Sequence, residues 1–184
     1  MGPGSAPETN PPGGRSDALN KSETLHSVIP VELEDELRRL LTKASEREIM
    51  LGTAESCTGG MVASLLTDVP GVSHAFDRGF VTYTNEAKHE MLGVPMTLLD
   101  TVGAVSKEVA IAMAEGGLTN SRANILFAVT GYADSGDEPG LVHFACARAG
   151  RRTVHREEHF GDIGRGPVRI ECLRVGVEMM TEML

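Results

Sequence analysis

The chain has 184 residues, 41% of them hydrophobic and 23% charged, which is the composition of one ordinary globular domain and leaves no comfortable room for two. No window approaches the run of about eighteen apolar residues that a membrane helix needs. A formal net charge of −9 opposes binding to a nucleic-acid backbone over any broad surface, but it leaves room for a small anionic metabolite held by a few backbone amides.

Residues Met1 to Ser22 are rich in Pro, Gly, Ser and Asn and lack the apolar stretch of a secretory signal, so residues 1–27 are expected to form a disordered tail and 28–184 the folded domain. Behind Pro30, the stripe Leu33, Leu37, Leu40, Leu41 and Ala44 predicts a first helix. The short apolar run Ile49 to Ala54 reads as a buried strand, followed at once by a tight turn, Ser56 to Gly60, and a helix through Met61 to Leu66. Pro70-Gly71 ends that helix, and Phe76 to Tyr83 is rich in strand formers. Thr84 is a suitable N-cap for a short helix that Gly93 closes. Ser106 caps a further helix whose face is read as Val109, Ala112, Met113 and Gly116, and Asn124 to Thr130 is another buried strand. Gly140 to Ala147 and Thr153 to Phe160 alternate around Ala149-Gly150 as a hairpin does, and Pro167 opens a last helix presenting Leu173, Gly176, Met180 and Met183. Strands interleaved with helices predict an α/β fold, a three-layer α/β/α sandwich with a mixed sheet.

The turn from Ser56 to Gly60 offers helix amides and small side chains above a strand end, a plausible anion cradle, although no Gly-Lys-Ser follows to make it a Walker loop. Tight packing of helix on strand explains the same glycines. Cys57, Cys146 and Cys172 are odd in number, widely spaced and without a CxxC pair, so reduced thiols in a cytoplasmic protein are expected rather than disulfides or structural zinc. The six histidines show no metal-ligand spacing along the chain, and those at 143, 155 and 159 fall in the hairpin strands. No metal is assigned from them.

Four stretches, TAESCTGG at 53–60, FDRGFVTYTNEAK at 76–88, LGV at 92–94 and GAVS at 103–106, together resemble the carboxy-terminal domain of the CinA family, in order and over about Val31 to Met180. The resemblance implies an amidohydrolase that converts nicotinamide mononucleotide to nicotinate mononucleotide and ammonia in pyridine nucleotide salvage, with no metal or cofactor. It implies catalytic residues Ser73, Tyr83 and Lys88, with Ser73 as nucleophile, Lys88 as its base and Tyr83 relaying a proton or facing the oxyanion. Ser56, Thr58, Gly59, Gly60, Arg78, Asn85, Thr130, Gly131 and Arg165 complete the expected substrate site. Ser73 and Tyr83 flank a strand too long for them to meet if it is extended, about 23 Å for seven residues. Either a bend at Gly79 or a second subunit in a homo-oligomer must then bring them together.

After Gly131 the family's glycine-rich loop is replaced by Tyr132-Ala133-Asp134-Ser135-Gly136-Asp137-Glu138, whose carboxylates would repel a phosphate that they faced. This departure motivates the alternative of a non-catalytic nucleotide- or partner-binding protein of the same fold, linked to competence or DNA damage. A thiolate at Cys57, at the start of a helix, is the minor alternative nucleophile.

Overall fold

Six helices and five strands follow one another through the described part of this computed structural model, residues 29–184. The tail expected over residues 1–27 lies outside the described residues. The strands are β1 (Leu51–Glu55), β2 (Phe76–Val81), β3 (Ile125–Gly131), β4 (Leu141–Arg148) and β5 (Val154–His159), and the helices are α1 (Val31–Glu46), α2 (Met61–Thr67), α3 (Asn85–Leu92), α4 (Met96–Val102), α5 (Lys107–Thr119) and α6 (Arg165–Met183). The sheet runs β2-β1-β3-β4-β5. β1 is parallel to both β2 and β3, whereas β4 and β5 are antiparallel to their neighbours. The fold is therefore an α/β sandwich around a mixed sheet, as the sequence pattern predicts.

The pleat of β3 divides the core in two. Ile125, Phe127 and Val129 point to one face, where Leu33, Leu37 and Leu40 of α1, Leu65 of α2 and Met180 of α6 cover them. Leu126 and Ala128 point to the other, beneath Leu92 of α3, Leu99 of α4, and Val109 and Met113 of α5. Small residues set the helix spacing on both sides. A Cβ at Gly176 would meet the Phe127 ring at 3.1 Å, so a larger residue there would require the ring or α6 to give by a few tenths of an ångström.

The α1 stripe and the α6 face bury the residues that their spacing predicts. In α5 the buried set is Val109, Ala110, Met113, Ala114 and Gly117, leaving Ala112 and Gly116 half-buried. The helix packs on the sheet along one side and against α3 along another, so its apolar surface is wider than a single stripe. Helix α4 is not signalled by an apolar period; Pro95 starts it and Gly103, at φ 77°, ends it. A 3₁₀ turn, Ser73–Ala75, leads into β2.

Candidate functional site

The carboxyl ends of the three parallel strands converge on one cavity of about 310 Å3, lined by Ser56 and Cys57 after β1, Tyr83 and Lys88 after β2, Thr130 to Gly136 after β3, Ala104 and Val105 from the loop before α5, and Arg165 of α6. This crevice outside the strand ends, where the chain leaves β1 for neighbours on either side, is where open α/β sheets place their ligands. Backbone pairing continues past the strands: the Ser56 amide donates to the Val129 carbonyl at 3.0 Å and the Thr82 amide to the Glu55 carbonyl at 2.8 Å. These two bonds hold Ser56 and the Thr82-Tyr83 segment side by side.

Lys88 reaches into that gap from α3. Thr84 caps the helix by accepting from the Ala87 amide at 3.1 Å, which fixes Lys88 one turn along with its side chain directed under the strand ends. Its Nζ donates to Ser56 Oγ at 3.1 Å, to the Thr82 carbonyl at 2.9 Å and to the Tyr83 carbonyl at 3.4 Å. The residue is 1% exposed, and none of its three acceptors is a carboxylate. Burial consequently pulls its pKa below the ordinary lysine value, with the neighbouring Cys57 acting in the opposite direction. A buried amine whose pKa is lowered, 3.1 Å from a serine hydroxyl, stands where a general base meets a nucleophile.

The turn expected to cradle an anion is already occupied by one of the protein's own side chains. Glu55, fully buried, accepts from Thr53 Oγ1 (3.0 Å) and the Ala63 amide (2.8 Å) through Oε1, and from Thr58 Oγ1 (2.7 Å) and the Gly60 and Val62 amides (both 3.0 Å) through Oε2. The amides at the start of α2 therefore face a carboxylate, and Thr58, Gly59 and Gly60 form the back of the turn without lining the cavity. Glycine is required at 59 and 60 by backbone conformation, φ 63° and 96°. Of the expected turn residues only Ser56 and Cys57 reach the cavity, and Glu55, which builds the turn, goes unnoticed in the sequence because it falls between the apolar run that ends at Ala54 and the turn that starts at Ser56.

Ser73 stands at the other end of the sheet. It is exposed in the 3₁₀ turn that enters β2, while Tyr83 and Lys88 lie beyond the exit of the same strand. The irregularity in β2 falls at Asp77, between the partners of Leu51 and Gly52, and not at Gly79; six extended residues still separate the two ends. Within one chain Ser73 does not meet Lys88. Arg78 is also outside the cavity, bonded to Asp77 at 2.9 Å and to the Asn120 carbonyl at 3.3 Å, and Asn85 opens α3 without lining it. Thr130, Gly131 and Arg165 do line it, and Thr130 Oγ1 holds the α4–α5 loop over the cavity by donating to the Ala104 carbonyl at 2.8 Å.

The acidic loop engages Arg165 directly. Asp134 accepts from Arg165 Nε at 2.9 Å and Nη2 at 2.5 Å, and Arg165 and Tyr83 line the same cavity. The guanidinium of this expected substrate-site residue thus has a carboxylate across it, and the hydrogen bond from Arg165 holds the Asp134 carboxyl below its usual range. In the cavity wall, Cys57 is buried and its contact with the Cys172 thiol lowers the pKa of Cys57 and raises that of Cys172. Arg169 Nε donates to the Cys57 carbonyl at 2.8 Å.

Comparison with known proteins agrees with this architecture. Residues 32–184 match the family described as the CinA C-terminal domain. The chain belongs to the CinA C-terminal domain family. A solved structure of the competence/damage inducible protein CihA from Agrobacterium tumefaciens superposes with a TM-score of 0.82 at 44% identity, over 84% of this chain and 97% of that one. A CinA superfamily protein from Escherichia coli does so with a TM-score of 0.77 at 30% identity, over 83% and 90%. A CinA-like protein of Leptospira borgpetersenii is 37% identical over 175 residues, 91% of this chain and 41% of that protein. The chain spans only 26% to 41% of the length of such curated relatives. Among the described residues no helix is long and apolar enough to cross a membrane.

Proposed function

We propose that this CinA C-terminal domain is a cytoplasmic amidohydrolase that deamidates nicotinamide mononucleotide, with Ser56 as nucleophile and Lys88 as its base. The observation that carries the reading is Lys88 Nζ, buried and without an anionic partner, 3.1 Å from Ser56 Oγ in a cavity of about 310 Å3. That volume lies within the range of small-molecule sites, about 300–1,000 Å3. Ser56 Oγ attacks the carboxamide carbon as neutral Lys88 takes its proton. The resulting ammonium then protonates the departing nitrogen and ammonia leaves; water, deprotonated by Lys88, attacks the acyl carbon, and Lys88 returns that proton to Ser56 Oγ as the nicotinate product departs. The Ser56 amide is engaged by Val129, so the oxyanion draws its donors from elsewhere in the lining, with Tyr83 the side chain placed at the mouth.

Ammonia release from the pure protein tests the reaction, and three single variants test the assignment. Ser56→Ala and Lys88→Ala should each lower turnover by at least about a thousandfold with the double variant scarcely worse, since groups acting as a unit are strongly non-additive. Ser73→Ala and Cys57→Ala should keep most activity. If Ser73→Ala is the dead variant, the nucleophile comes from a second copy of the chain in a homo-oligomer. The Asp134–Arg165 pair favours one further reading, a nucleotide-binding domain without turnover, which would show binding of the mononucleotide and no ammonia on prolonged incubation.

A further inference from the structure

We propose that His143, His155 and Glu157 form a site for one divalent transition-metal ion of the zinc class, on the α5 face of the β4–β5 hairpin and separate from the strand-end cavity. Strand pairing creates this cluster, which is why spacing along the chain gives no sign of it. His143 is the register partner of Glu157, and His155 is that of Ala145, so period-2 alternation puts residues 143, 155 and 157 on one face.

The distances are those of a metal's coordination sphere. His143 Nδ1 lies 3.2 Å from His155 Nε2 and 3.4 Å from Glu157 Oε2, and the three donor atoms all fall within 4.8 Å of one another. A tetrahedral ion with bonds of about 2.05 Å spaces its donors about 3.3 Å apart. Hydrogen bonding alone serves the cluster poorly. If His155 Nε2 donates to His143 Nδ1, the remaining contact sets a ring-nitrogen lone pair against a carboxylate; if His143 Nδ1 donates, its one proton is shared between two acceptors. A cation at the centre satisfies all three lone pairs at once.

Two imidazoles and one carboxylate suit zinc and its neighbours better than magnesium or calcium, which prefer oxygen. Burial lowers the pKa of both histidines, and nearby glutamates act in the opposite direction; neutral imidazole is the ligand form. The other oxygen of Glu157 is oriented by His159 Nε2 at 3.0 Å, whose Nδ1 faces Glu138 Oε1 at 2.6 Å, an outer layer of the kind that fixes ligating carboxylates. Lys107 and Glu108 at the start of α5 also act on the cluster, with opposite signs. Three protein ligands leave a fourth position for water, and β5 is the edge strand, so the bound ion would fasten the edge of the sheet.

The experiment is calorimetric titration of zinc chloride into the untagged, chelator-stripped protein, with cobalt(II) absorption on the same sample. One equivalent should bind with a Kd below about 10 μM, a modest affinity for a three-ligand site, and cobalt should give tetrahedral visible bands with no thiolate charge-transfer band. His155→Ala and Glu157→Gln, both at partly exposed positions, should retain the native circular dichroism while weakening zinc binding at least tenfold, and His159→Ala should weaken it less. Absence of binding, affinity unchanged in both ligand variants, or a cobalt–thiolate band pointing to Cys57, Cys146 or Cys172 would each overturn the assignment.

Discussion

Replacing Glu55 with glutamine removes one formal charge and no volume, yet the hydrogen-bond geometry makes it a costly change. The carboxylate has five donors, two on Oε1 and three on Oε2. An amide would place its NH2 at the less crowded Oε1 position. The Thr53 hydroxyl there can rotate and accept, but the Ala63 amide cannot, so one buried N–H loses a bond to a charged group, worth about 1.5–3 kcal/mol. The three bonds kept by the other oxygen become neutral and lose roughly half their strength. Relief of the carboxylate's own desolvation works the other way, and the net expectation is a loss of about 2–4 kcal/mol. Against a total of about 5–15 kcal/mol for a domain, Glu55→Gln should fold with a lowered urea midpoint and unchanged slope. Glu55→Ala, which strands all five donors, should fail to fold. A Glu55→Gln protein within about 1 kcal/mol of the parent would refute the claim that this carboxylate organises the turn carrying Ser56.

Three other consequences are open to measurement. Because burial lowers the pKa of Lys88, the unfolded chain holds the extra proton over the window between that lowered value and the ordinary value of about 10.4; stability should rise with pH through this window and the rise should vanish in Lys88→Met, by urea unfolding at pH 7.5 and 9.5. A Cβ on Gly116 would stand 1.9 Å from the Leu92 carbonyl oxygen, so Gly116→Ala should push α3 from α5 and cost about 1–3 kcal/mol by thermal unfolding. Asp134→Asn frees the Arg165 fork, and KM for nicotinamide mononucleotide should fall about two- to fivefold with kcat unchanged; an unchanged or higher KM would show that Arg165 does not meet the phosphate.

Most of the fold is legible in the sequence because its signals are local. Leu33, Leu37, Leu40 and Leu41 can share one face only in a helix, and Thr84 and Gly93 bracket α3 with a cap at each end. Helix α4 escapes notice because seven residues between Pro95 and Gly103 bury only Leu99, too few apolar positions to establish a period. The candidate site is legible in part, for a different reason. Lys88, Tyr83, Ser56, Thr130, Gly131 and Arg165 all line the cavity, but which serine stands beside the lysine depends on the pairing of β1 with β2 and β3, and no local pattern encodes that pairing. The same holds for His143 and Glu157, fourteen positions apart in the chain and directly opposite in the hairpin.

Glu55 and Lys88 show how the structure divides its electrostatic work. Both are fully enclosed at adjoining strand ends, and both have every hydrogen-bonding position used. The carboxylate meets only donors, among them the amides that begin α2, where the helix dipole favours a negative charge. With five donors around it, it serves as a rigid brace for the turn. The lysine meets two carbonyl oxygens and one hydroxyl but no anion, and its charged form therefore keeps part of its desolvation cost. If Lys88 had only to anchor α3, an apolar side chain of similar length would fill the same space without that cost. A buried amine with a lowered pKa next to a hydroxyl is a destabilising arrangement that the proposed reaction would account for, and this asymmetry between the two buried ionisable groups is the physical reason to seek that reaction at Ser56 and the structural support at Glu55.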